Sequence, residues 1–289
     1  MSSVQRIGYF SDVHSNLLAC LAMARVIKDR QVGWSWYFGG DAVGWLYQPI
    51  EVVKIIMSLM KDDLIKGAVA GNHDLLARDV FADLPDQVAR KIATAFSAGA
   101  LSQNPSASEF LRRLPLVIDL GEENNCVIVH HSPFMLPAEG TDPTINHFQY
   151  LSKDFEVQLA SWANYRRRVI LSGHDHVPAV HWMLKGLSDP TLRDVTTIHP
   201  NNEETLEVPI DPTYQYWVQS GAAGGPPRDG VNKLNWVEYI PGEVIRLHRL
   251  AYETTELRRV IDRQPYGSLL NWTRFSAPSD KKRAGGSAV

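Results

Sequence analysis

Lys66–Asp74, KGAVAGNHD, reads as a short apolar strand that runs straight into a glycine, an amide, an imidazole and a carboxylate. An ordinary turn seldom needs the last three side chains in a row. Asn72 offers a neutral oxygen to a cation, His73 points elsewhere and is available to act on a substrate, and Asp74 is placed to fix the tautomer of that histidine. Four other stretches share the design: RIGYFSDVH from Arg6, WSWYFGGD from Trp34, NCVIVHHSP from Asn125 and RVILSGHDH from Arg168. Runs of this kind suit strands buried on both faces of a sheet. Loops at the carboxyl ends of such strands are where open α/β sheets place their sites.

Helical patterns separate the runs. Leu17, Cys20, Leu21, Ala24 and Ile27 fall on one stripe, and Pro49 takes a first-turn position ahead of Val52, Val53, Ile56 and Met60. The β-α-β-α-β order predicts a layered α/β fold. Residues 85–113 read as two helices, one carried by Val88, Ile92 and Phe96, the other with Ser106 and Glu109 at capping-box spacing. A punctuated loop followed by a helical pattern from Asp154 to Tyr165 makes 134–165 an excursion over the site, and the turn-forming pairs Asp189-Pro190 and Asp211-Pro212 make 184–213 a second irregular stretch. Strand-like runs return in YQYWVQSG, LNWVEYI and EVIRLHRLAYE. The expected organisation is one domain over 1–270 with insertions near 134–165 and 184–213, then a flexible tail over 271–289.

The motifs complement one another chemically. Asp12 and His14 stand two apart at a strand end, which sends both side chains to one side. Gly39 and Gly40 let the backbone turn tightly and bring Asp41 inward, where its two oxygens can bridge two cations. His174 and His176 repeat the two-apart spacing, with Asp175 between them pointing away. His130 and His131 close the fourth run; strand alternation directs one of them to the cluster, and His130 is the one we favour. Six of the ten histidines lie in these motifs, each motif at the end of its own run, so one shared metal site accounts for them better than five unrelated turns.

In this order, D-x-H at Asp12, G-D-x-x-G at Gly40, G-N-H-D at Gly71, a histidine at His130 and G-H-x-H at Gly173 resemble the calcineurin-like metallophosphoesterase superfamily. SGAAGGPPRDG at Ser220–Gly230 resembles a Gly-rich segment near the end of its small bacterial members, and the phosphodiesterase branch is the most similar. The resemblance implies an α/β fold of four layers, α-β-β-α, with two mixed sheets face to face, helices outside and a metal site at the carboxyl ends of the strands. It implies that Asp12, His14 and His176 hold one divalent ion, that Asn72, His130 and His174 hold another, and that Asp41 bridges them. His73 would be catalytic, with Asp74 beside it. The mixed imidazole and oxygen donors suit Mn, Fe or Zn, and two such ions would clamp a phosphoryl group and acidify water for in-line attack.

Protein phosphatases of that superfamily carry an arginine in G-D-x-x-D-R-G. GDAVGW at Gly40–Trp45 lacks it, which favours a small-molecule phosphodiester or a nucleotide over a phosphomonoester or a phosphoprotein. Trp45 and Tyr47 are candidates to stack on a base or leaving group, and Arg228 to hold a phosphate; Arg166, Arg167 and Arg168 read as a solvated face. A net charge of −3 supplies no basic field of the kind that gathers nucleic acid and argues against a nuclease. A non-catalytic metal-binding scaffold is the other alternative, and His73 speaks against it. The chain lacks a basic, apolar leader and any apolar run near the roughly 20 residues that span a bilayer, so a cytoplasmic protein with no membrane partner is expected. Cys20 and Cys126 lie in apolar patterns and read as buried thiols.

Overall fold

The first three apolar runs become parallel strands β1 (Arg6–Phe10), β2 (Trp34–Phe38) and β3 (Ile65–Ala68), and the fourth and fifth become β5 (Cys126–Val129) and β6 (Val169–Ser172), also parallel to each other. This computed structural model describes residues 5–78, 88–201 and 205–263. The remaining strands are β4 (Val117–Asp119), β7 (Ala179–Leu184), β8 (Thr196–Ile198), β9 (Thr205–Pro209), β10 (Tyr214–Gln219), β11 (Leu234–Ile240) and β12 (Val244–Leu250). They form two six-stranded sheets, ordered β3-β2-β1-β11-β12-β9 and β4-β5-β6-β10-β7-β8. Both are mixed, since β11 runs antiparallel to β1 and β7 antiparallel to β10.

Strand alternation sorts the side chains into layers. Ile7 and Tyr9 of β1, Cys126 and Ile128 of β5, Val169 and Leu171 of β6 and Val237 and Tyr239 of β11 share one buried cluster, so they face inward between the sheets. The opposite parity faces the helices. Phe10, Phe38 and Trp236 pack with residues of α1 (Leu17–Asp29) and α2 (Pro49–Lys61), while Val127, Val129, Ile170 and Trp217 pack with Leu159 and Trp162 of α7 (Leu151–Ala163). The result is the expected α-β-β-α sandwich. Each large apolar side chain buried this way contributes roughly 1.5–3 kcal/mol, so a one-residue register slip, which would exchange the two faces of a strand, is strongly opposed.

The helices begin where the local chemistry allows. Asn16 accepts a hydrogen bond from the Ala19 N–H at 3.1 Å and caps α1, and Pro49 starts α2, where a missing N–H costs nothing. Residues 88–113 carry two helices, α4 (Val88–Ser102) and α5 (Pro105–Arg112), after the short α3 (Asn72–Leu76). The capping box expected at Ser106 and Glu109 does not form: Pro105 starts α5, which leaves both residues inside the helix, and Glu109 accepts from Arg113 Nε at 2.7 Å. Two short helices, α6 (Gly121–Asn124) and α8 (Thr255–Asp262), complete the set.

The stretch 184–213 is less irregular than expected. Its Pro and Asp turns delimit β8 and β9, which are the outer strands of the two sheets. Short strands suit sheet edges, and their few residues between turns explain why apolar patterning missed them. The tail expected over 271–289 lies outside the described residues. Cys20 and Cys126 are buried, unpaired thiols, as expected, and burial pushes the Cys20 thiol up to about 12. No helix among the described residues is long and apolar enough to cross a membrane.

Candidate metal centre and active site

The expected ligands lie just past the strand ends, in tight loops. Asp12, His14, Asp41, His174 and His176 all have positive φ, between 51° and 66°. Each such backbone costs on the order of 1 kcal/mol in a non-glycine residue and persists only where its surroundings fix it. This corrects the reason given for the two-apart pairs. Left-handed turns, and no longer strand alternation, aim Asp12 with His14 and His174 with His176.

Backbone bonds between the loops do the fixing. The N–H groups of Asp12, His14 and Ser15 donate to the carbonyls of Gly40, Asp41 and Ala42 at 2.8–2.9 Å, and Gly173 donates to His130. Gly224 and Gly225 donate to the Asp12 carbonyl at 3.0 and 2.8 Å. Gly40 and Gly225 show how little room these loops leave for a side chain. At Gly40, with φ of +93°, a Cβ would lie 2.5 Å from the Gly71 nitrogen; at Gly225 it would lie 2.4 Å from His14 Cδ2.

Asp74 is a further tie. Its carboxylate accepts from the N–H groups of Asp41 (2.8 Å), Ala42 (2.9 Å), Val43 (3.3 Å) and Gly71 (3.0 Å). It therefore clamps the Asp41 loop to the first turn of α3, in place of the tautomer-fixing contact expected for it. Burial, and then the neighbouring Asp41 charge, raise its carboxyl to about 7.

Each of the two central carboxylates is divided between two tasks. Asp41 Oδ1 accepts from the His73 N–H at 2.7 Å, while Oδ2 stands 3.5 Å from His14 Nε2 and 3.4 Å from His130 Nε2. Asp12 Oδ2 accepts from the His174 N–H at 3.0 Å, while Oδ1 faces His176 Nε2 at 3.2 Å and His14 Nε2 at 3.7 Å. Three imidazoles are oriented in one manner: Nδ1 of His14, His130 and His176 donates to the carbonyls of Val43 (3.2 Å), Gly39 (2.8 Å) and Pro226 (2.8 Å). A carbonyl only accepts, so each Nδ1 carries hydrogen and each Nε2 is turned to the carboxylates. Asn72 Oδ1 lies 3.2 Å from His130 Nε2 and 2.9 Å from His174 Nδ1.

These residues fit divalent ions. Asp12 Oδ1 is buried and accepts no hydrogen bond among the described residues, and Nε2 of His14 and His176 face each other at 2.9 Å across a gap that needs a cation or a proton. Asp12, His14 and His176 form one group able to hold an ion, and Asp12, Asp41 and His130 another. Charge is arranged accordingly. Although burial opposes it, the imidazoles of His176, His14 and His130 hold Asp12 well below the usual carboxylate range. Burial also pulls on His130, yet the Asp41 carboxylate prevails and raises it to about 10, so a proton there balances the carboxylates. His131 is different: burial and then its charged neighbour His130 push it down to about 3, and its ring lies against His174, 5.3 Å away.

Above this floor is a cavity of about 360 Å³ lined by Asp41, Asn72, His73, Trp45, Tyr150 and Arg228, among others. Trp45 and Arg228, candidates for substrate contact, both line it, and the His73 ring is 5.9 Å from Trp45 and 4.7 Å from His14. Tyr47 packs into an apolar cluster with Leu46, Ala93 and Leu257 and does not line the cavity. Arg166 and Arg167 pair with Asp119 at 2.5 and 2.6 Å, before the amino end of β6. Sequence reading missed Tyr150, which comes from the 134–165 excursion, and the Pro226 carbonyl behind His176. Tyr150 belongs to no ligand-type spacing and nothing in its local sequence marks it; Pro226 lies in the SGAAGGPPRDG segment, where sequence reading singled out only Arg228. Asp175 turns from the floor and accepts from the Leu151 N–H at 3.2 Å, which ties the start of α7 to the site.

No family model matches the chain. An uncharacterized protein of Methanocaldococcus jannaschii is 28% identical over 232 residues, 80% of each chain. A metallophosphoesterase from Sphaerobacter thermophilus superposes with a TM-score of 0.67 at 24% identity, over 94% of this chain and 100% of its own. A hypothetical protein from Pyrococcus horikoshii OT3 follows at 0.61 and 18%, over 93% and 96%. With its two mixed sheets and outer helices, the chain has the fold of the calcineurin-like metallophosphoesterases.

Proposed function

We propose that the protein is a dinuclear metal-dependent phosphoesterase acting on a phosphodiester of a small molecule or nucleotide. The observation that carries this reading is the division of Asp41: one oxygen is tied to the His73 N–H and the other stands between His14 and His130, at 3.5 and 3.4 Å. Asp12, His14 and His176 would hold one ion, Asn72, His130 and His174 the other, with Asp41 shared. Mn, Fe or Zn suits such a donor set. When bound, the ions supply Lewis acidity that holds the phosphoryl oxygens and lowers the pKa of water.

The chain's own groups do the rest. The Nδ1 donors to backbone carbonyls keep three imidazoles in the tautomer and orientation that ligation needs. His73, at the cavity wall, donates a proton to the leaving oxygen, a role worth about 10²–10⁴-fold. Trp45 supplies a flat face beside it for a base or an aromatic leaving group. The absence of arginine in GDAVGW is what favours a diester.

The test is an assay of metal-reconstituted protein on paired mono- and diester chromogenic substrates, with Asn72→Ala and His73→Ala alongside. Diester preference with loss in both variants is expected. Preference for the monoester would overturn the substrate class, and two bound metals without hydrolysis would point to a scaffold.

A further inference from the structure

The mouth of the cavity is built unlike its floor. Tyr150, half-buried, lays its ring on that of His174, with centroids 5.0 Å apart and planes at 21°. The guanidinium carbon of Arg228 stands 3.8 Å from the centroid of the same tyrosine ring. Lys153 Nζ is 5.6 Å from that centroid. Two cations thus gather on one aromatic residue, a contact that holds a cation without neutralising it.

Arg228 differs from other arginines of the fold. Arg167, Arg246 and Arg249 each pair with a carboxylate, whereas no carboxylate among the described residues lies within 4.0 Å of the Arg228 guanidinium. Its loop is nevertheless held. The Arg228 N–H donates to the His176 carbonyl at 3.4 Å, and the next residue, Asp229, pairs with buried Arg249. The guanidinium is therefore an exposed charge with no carboxylate in ion-pair reach, influenced from further off by Asp175, and it lies over the face of Tyr150, whose ring stacks on His174. It lines the same cavity as Asp41 and His73 but sits over Tyr150 on the exposed side, where a second anionic group of the substrate would meet it.

Resting on the phosphoesterase reading above, we infer that Arg228 and Tyr150 form a subsite for a second phosphate, so that the preferred substrates are phosphate esters carrying a further phosphate beyond the reacting one. Arg228 is the specificity-determining residue, since a planar guanidinium matches phosphate with two parallel N–H donors. Tyr150 is a positioning residue that acts through it. Lys153 adds charge to the same side.

Two probes differing by one phosphate test this on the metal-loaded protein: the p-nitrophenyl ester of thymidine 5′-phosphate with and without a 3′-phosphate. Binding of thymidine 5′-phosphate and thymidine 3′,5′-bisphosphate, followed by calorimetry, gives a readout independent of turnover. The added phosphate is expected to lower both KM and Kd about tenfold, equivalent to about 1.4 kcal/mol. Arg228→Met and Tyr150→Leu should each bring that ratio close to one, while Tyr150→Phe, which keeps the ring face, should preserve it. If both esters are hydrolysed but the added phosphate brings no gain, or if the gain survives Arg228→Met, the subsite is refuted and the phosphoesterase reading stands. If neither ester is hydrolysed, both fall.

Discussion

The floor and the mouth of the cavity are made by opposite means. The floor consists of buried residues in strained left-handed turns, clamped by backbone hydrogen bonds between loops from both sheets. The mouth consists of Tyr150 and Lys153 at the start of α7 and Arg228 in the loop after β10, held by ring faces. The two-ion centre proposed for the floor would tolerate little displacement, which suits its position at rigid strand ends. Selectivity needs charge and shape at a position that loops can vary without disturbing the sheets. The difference predicts that floor substitutions act on metal and turnover, and mouth substitutions on preference.

The strongest way to break that division is Asp41→Ala. It removes the oxygen between His14 and His130, so metal content should fall below two per chain and turnover by about 10³-fold or more, read by elemental analysis beside a diester assay. His73→Ala comes next: metal content should be retained while kcat drops about 10²–10⁴-fold. Full activity in that variant would remove His73 from the chemistry. Gly225→Ala sharpens the contrast from the side of stability. A methyl 2.4 Å from His14 Cδ2 forces that imidazole aside, at a cost of about 1–3 kcal/mol that a denaturant titration of metal-free protein would detect.

The smallest effect concerns the packing of β7 against α7, where the His181 ring faces Phe155. His181 is buried, with Nδ1 2.8 Å from Thr197 Oγ1 and Nε2 3.1 Å from Gln219 Oε1, and burial lowers it to about 4. Its folded value lies below its unfolded value, so its neutral form contributes stability that is complete above about pH 6.5 and is lost as pH falls toward 4. His181→Gln should flatten the decline in stability between about pH 7 and pH 5.5 by about 1 kcal/mol. An unchanged slope in urea titrations at the two pH values would show that the proton is taken up elsewhere.

The parts legible in sequence are those where one local signal is enough. Apolar runs ending in Asp, His or Asn marked five strands and the residues after them, and the stripe from Leu17 to Ile27 marked α1. The signal failed where a segment is too short or too punctuated to stand out. Thr196–Ile198 has three residues and shows no period, and the alternation of Leu206 and Val208 in Thr205–Pro209 spans only five residues amid turn-forming Pro and Asp; a sheet edge receives both. Asp74 is instructive in another way. Its place next to His73 suggested a partnership with the imidazole, yet the loop of Asp41, distant in sequence, brings backbone N–H groups that compete for its oxygens and win.

By itself, then, the sequence determined which chemical groups stand at which strand ends, because strand burial and ligand chemistry are both written in short contiguous stretches. Tertiary structure alone decided how those groups meet. The choice of His130 to face Asp41 and Asn72, with His131 set beside His174, depends on where β5 lies against β6 and the Gly39 loop. The positive φ values of five expected ligands depend on hydrogen bonds between loops far apart in the chain. The mouth depends on it most of all: Tyr150 and Arg228 are 78 positions apart, and a cation resting on an aromatic face leaves no mark in either segment until the fold brings them together.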